Sequence, residues 1–131
     1  MERMPSILCR SLIALGALAI PSFGGPLPAA AQMAHYNGTW SVLIVTDRGP
    51  CDRAYRYPVR VTNGRVTYAG QADFDVAGRV SSNGAVNVSV SKGDQRARGS
   101  GRLDGTSGSG TWRGGNGGDE CSGSWTAEKR G

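Results

Sequence analysis

Histidine is almost missing from this chain. His35 is the only one in 131 residues, and a Ser-His-Asp relay would have to run through it. A catalytic zinc site is short of ligands for the same reason. There is no CxxCH run to attach haem covalently. Cysteine is scarce as well. Three residues, Cys9, Cys51 and Cys121, are too few for a small scaffold held by several bridges. The apolar run Ser11–Ile20 is about ten residues long, where a membrane-spanning helix needs about 20. Beyond that run helical periodicity is nearly absent, which argues against a helix bundle.

The first part of the chain has the order of a secretory signal. Arg3 and Arg10 form a basic start, "SLIALGALAI" an apolar centre, and Pro21, Pro26 and Pro28 lead to Ala29-Ala30-Ala31. Cleavage is expected after Ala31, so residues 1–31, Cys9 among them, leave as a signal peptide. Gln32–Gly131 then forms one domain of about 100 residues. Losing Arg3, Arg10 and Glu2 lowers the formal charge from +5 to +4. Export makes a disulfide between Cys51 and Cys121 the expected state. Its loop of about 70 residues corresponds to roughly 4 kcal/mol in the loop-entropy model.

What remains is rich in short alternating segments and turn dipeptides. Asn63-Gly64, Asn83-Gly84 and Asp104-Gly105 suit tight hairpins, and Lys92-Gly93-Asp94 is a fourth turn signal. Eight strands are predicted near residues 36–46, 54–62, 65–71, 73–81, 85–91, 95–103, 106–113 and 120–128. Two connections stand out as long, 47–53 and 114–119. Eight strands paired in sequence order close into an all-β, antiparallel up-and-down barrel without exposed edges. Alternation sends Trp40, Val42, Ile44, Tyr55, Tyr57, Val59, Val61, Val66, Tyr68, Phe74, Val76, Val80, Val86, Val88, Val90, Ala97, Leu103, Trp112, Trp125 and Ala127 inward. Arg56, Arg60, Arg65, Arg79, Arg96, Arg98, Arg102 and Arg113 fall outside. Closure also brings the end of the first strand beside the start of the eighth, which places Cys51 and Cys121 on one rim.

Gly38-Thr39-Trp40 on the first of eight antiparallel strands resembles the calycin superfamily, the lipocalins and avidins. That resemblance implies a basic residue near the barrel's end packing across the Trp, here Lys129 or Arg130. No avidin-like ligand set and no second or third lipocalin motif accompanies it. The segments "GTWSVLIVTDRGPCDRAYRYPVRV" and "CSGSWTAEKR" look like a group of small exported proteins of rhizobia and related alphaproteobacteria. Some of that group carry a label linking them to haem utilisation or adhesion.

The candidate sites are an interior and a surface. Gly99, Gly101, Gly108, Gly110 and Gly123 fall on inward positions of the last strands. They either leave a ligand cavity or make room for Trp40, Trp112 and Trp125. In a cavity, Tyr55, Tyr57 and Tyr68 would supply polar tips. Outside, Arg96, Arg98, Arg102 and Arg113 form a stripe suited to an anionic glycan or lipid headgroup. Nucleic acid is disfavoured, because exposed aromatics for base stacking are not interleaved. The pairs Asp119-Glu120 and Asp73/Asp75 read as solvated carboxylates, without the spacing of a calcium loop or a nucleophile beside them. Haem iron would find His35, Tyr55, Tyr57 or Met33 as candidate axial ligands. The expectation is therefore a non-enzymatic protein, periplasmic or secreted. It would bind a small apolar or aromatic molecule inside the barrel, haem being one candidate. The alternative is an interaction protein using its outer arginines.

Overall fold

A computed structural model describes residues 34–131. The expected signal, residues 1–31, and Met33 lie outside the described residues. Eight strands follow one another: β1 (Gly38–Arg48), β2 (Ala54–Thr62), β3 (Arg65–Tyr68), β4 (Asp75–Val80), β5 (Ala85–Lys92), β6 (Gln95–Asp104), β7 (Ser107–Gly115) and β8 (Glu120–Lys129). Each pairs antiparallel with the next, and β8 pairs back onto β1, so the sheet is a closed barrel. This is the expected calycin-like architecture.

The turns follow from their residues. Asn63 takes φ 48° and Gly64 φ 84°, the left-handed pair that a two-residue hairpin requires. Asn37 secures that hairpin, its Oδ1 accepting from the Asn63 N–H at 2.7 Å.

The register fixes the barrel's bore. From Gly38 the ladder steps to Val61, Val66, Gly78, Val88, Gly99, Trp112 and Gly123, and returns to β1 at Thr46, eight residues further along. A stagger of eight across eight strands corresponds to a tilt of about 36°. An interior of that size is either filled by side chains or holds one small ligand.

The two ends differ. One end carries the turns after β2, β4 and β6 together with the start of β1 and the end of β8. There Trp40, Val61, Val66, Val80, Val86, Leu103, Trp125 and Ala127 are buried in one cluster, with Tyr36 packed against it. The Trp40 indole donates to the Tyr36 carbonyl at 2.8 Å. Thr39 accepts from the Arg130 N–H and donates to the Gly131 carbonyl, at 2.7 and 2.8 Å. Lys129 stands across the ladder from Trp40, and its ammonium donates to the His35 carbonyl at 3.4 Å. Arg130 instead pairs with Glu128 at 3.3 Å.

The other end is a rim of loops. Cys51 and Cys121 are joined there by a disulfide, so the β1–β2 loop is tied to the start of β8 as expected. Buried Thr46 holds the same loop, its hydroxyl donating to the Asp52 carbonyl at 2.6 Å.

One difference from the predicted strands matters. β3 ends at Tyr68 and β4 begins at Asp75, so residues 69–74 form a third long connection at the rim. Residues 69–73 lack the apolar alternation that would hold both strands against the core. As a result β3 pairs with β4 only at Arg65–Arg79 and Val66–Gly78, leaving a notch in the wall near the rim.

Candidate functional site

Three inward glycines of β6 and β7, Gly99, Gly101 and Gly110, surround one side chain, while Gly108 lies against Leu103. A Cβ on Gly110 would lie 2.6 Å from the Trp125 Nε1, and one on Gly101 would lie 2.6 Å from its Cζ2. Both would also run into neighbouring carbonyl oxygens, of Ser100 and Ser109 respectively. Gly99 lies beside the same ring. The indole of Trp125 therefore lies flat on a glycine wall, and its N–H donates to the Ser100 carbonyl at 3.1 Å. Trp112 is held by a hydrogen bond of its own. It stands opposite Gly123 and donates to the Val45 carbonyl at 3.0 Å.

Trp40 and Trp125 are buried in the cluster at the packed end, and the interior stays open towards the rim. The result is a cup of about 530 Å³, within the range of about 300–1,000 Å³ typical of small-molecule sites. Its lining runs from Val61, Val66 and Leu103 at the packed end, past Trp125 and Val88, to Trp112 and Val90 nearer the rim. One side of the upper wall is aromatic. Phe74 lies 4.9 Å from Tyr57 and 6.0 Å from Tyr55, centroid to centroid, in edge-to-face geometry; Tyr68, expected to line the cavity, backs Phe74 at 5.4 Å and lies outside the lining. Tyr55 and Tyr57 are 4.7 Å apart. This cluster stands beside the notch between β3 and β4. Tyr55 is 41% exposed, so it forms part of the mouth.

Tyr57 is half-buried. Burial pushes its phenol above the ordinary value, and the neighbouring Tyr55, Tyr68 and Asp52 add to the shift. The group stays neutral at neutral pH and can donate a hydrogen bond into the cup.

The other expected residues sort by position. Trp40, 1% exposed, belongs to the packed end and forms the cup's base. Arg96, Arg98 and Arg102 take outward positions on β6, and Arg113 faces Arg98 across the ladder from β7. Arg102 is engaged locally, donating to the Asn83 carbonyl at 2.9 Å. Asp73 and Asp75 are exposed on either side of inward Phe74. Among the haem-ligand candidates, His35 lies beside Asn83 and Thr106 at the packed end, away from the cup. Tyr55 and Tyr57 line the cup.

Lys92 was read in the sequence only as part of a turn. It continues the inward row Val86, Val88, Val90 at the end of β5, and its ammonium lies 5.0 Å from the Phe74 ring centroid. The strand alternation carried that signal. The adjoining Gly93-Asp94 turn obscured it.

Compared with protein-family models, curated proteins and solved structures, the chain finds no match.

Proposed function

We propose that the protein is an exported, non-catalytic binding protein that holds one small apolar or aromatic molecule in the cup. The observation that carries this reading is the asymmetry of the interior. Trp40 and Trp125 are buried among aliphatic side chains at one end, while an apolar and aromatic space of about 530 Å³ runs from that cluster to the open rim. A barrel built only for stability gains nothing from leaving Val90, Tyr57 and Phe74 around an opening.

N-phenyl-1-naphthylamine, a neutral fluorescent probe, tests this. Its emission should rise on binding and saturate at one probe per chain, with little change between low and high salt. No binding, or binding that weakens steeply with salt, would overturn the reading. Haem is one member of the ligand class. A tyrosine-ligated haem would move the Soret band and lose that shift in the Tyr55→Phe/Tyr57→Phe double variant. An unchanged Soret band with unchanged tryptophan emission removes haem from the class.

A second reading is favoured by one observation, the Arg98–Arg113 pair. Like charges directly opposed on neighbouring strands are destabilising. Among the described residues the only ion pair is Glu128–Arg130, so no described carboxylate neutralises them. An anionic glycan or lipid headgroup would. Salt-sensitive retention on an anionic polysaccharide, lost in Arg98→Ser/Arg113→Ser, supports that surface role. Retention unchanged in the variant removes it.

A further inference from the structure

The cup's mouth has a polarity that an apolar ligand alone does not explain. Three cations line it: Lys92, Arg96 and Arg98. The two arginines stand on outward positions of β6 and reach the rim from outside. Lys92 instead stands on the inward row of β5. Phe74 precedes β4 beside it, one step beyond the Asp75–Ser91 pair, and the Lys92 ammonium sits over that ring at 5.0 Å from the centroid. A cation–π contact of this kind holds the charge in place without neutralising it. Gln95, its partner across the β5–β6 ladder, also lines the mouth and brings amide donors to the same point. The neutral Tyr57 phenol below adds an O–H donor. The acids lining the mouth, Asp52 and Asp119, belong to the β1–β2 and β7–β8 loops. In the closed strand order the β1–β2 loop lies across the barrel from the β5–β6 turn.

A positive group, amide donors and a phenol donor therefore line one cavity with an aromatic wall. That set fits a carboxylate, because hydrogen bonds to an ionised acceptor are the strong ones. The wall fits a flat ring, which aromatic side chains favour in offset or edge-to-face contact. We propose that the cup takes a small aromatic monocarboxylic acid, its ring against the Tyr57–Phe74 wall and its carboxylate on the Lys92 ammonium. The inference rests on the cup being a ligand site, and it names the class of ligand.

Isothermal titration with 2-naphthoate and with its neutral amide, 2-naphthamide, tests it on the mature chain. The naphthoate should bind about tenfold more tightly, the factor that about 1.4 kcal/mol represents. Lys92→Met keeps an unbranched stem over Phe74 and removes the charge. It should bring the two affinities together by weakening the binding of naphthoate. Binding of the amide also shows that the variant's cup is intact. Equal affinities in the unaltered protein would overturn the proposal and leave the cup standing. So would a preference for naphthoate that survives in Lys92→Met. If neither compound binds, the cup reading fails and this inference falls with it.

Discussion

Replacing Gly110 with alanine separates two accounts of the barrel's glycines by the sign of the effect. If Gly110 were only a weak strand residue, alanine would stabilise the fold by roughly 0.5–1 kcal/mol through the unfolded chain. The structure dictates the reverse. The new Cβ would meet the Ser100 carbonyl, a backbone atom that cannot swing away, and would lie 2.6 Å from the Trp125 Nε1. Overpacking of this kind costs about 1–3 kcal/mol. Displacing the ring also threatens its 3.1 Å hydrogen bond to Ser100, a contribution of about 1 kcal/mol. After the unfolded-state gain, a net loss of about 2 kcal/mol remains. For a domain of about 100 residues this lowers Tm by about 8–16 °C. Thermal unfolding followed by far-UV circular dichroism measures it. Gly118→Ala is the control, since a Cβ there meets nothing within 4 Å, and it should leave Tm nearly unchanged. A Gly110→Ala protein as stable as the parent would refute the glycine-wall argument.

Three further outcomes follow from the same geometry. Reducing the Cys51–Cys121 bridge, or replacing both cysteines with serine, should cost up to about 4 kcal/mol by loop entropy; a Tm that does not fall would contradict it. Trp125→Ala should cost about 3–5 kcal/mol, the range for a buried large aromatic, seen as a lower denaturant midpoint with the disulfide intact. Tyr57 should ionise above the ordinary phenol pKa of about 10, because burial holds it neutral. The folded state then keeps a proton that the unfolded state releases. Stability is unaffected below about pH 10 and falls as pH rises past it. Tyrosinate absorbance should lose its latest step in Tyr57→Phe.

The strands were legible because period-two alternation and Asn-Gly or Asp-Gly turns are local signals. Closure was supported by Cys51 and Cys121, which a closed barrel brings to one rim. The segment 69–74 was not, since its residues contain nothing that separates a frayed strand from a loop. Whether the interior was filled could not be read either. Alternation says which way Gly99, Gly101 and Gly110 face. It does not say that Trp125 crosses from β8 to cover them. Volume is a property of side chains meeting across the barrel, and sequence spacing carries no record of it. Lys92 shows the same limit, because its inward position matters only once Phe74 and Tyr57 stand beneath it.

The central claim is that one half of the barrel is packed and the other half binds. The three indole N–H signals test it in a single two-dimensional NMR titration with 2-naphthamide. The Trp112 resonance should shift and saturate at one ligand per chain, because this ring borders the cup. The Trp40 resonance should stay in place, because its N–H is committed to the Tyr36 carbonyl at the packed end. Shifts confined to backbone amides around Arg98 and Arg113, with all three indoles unmoved, would contradict the account.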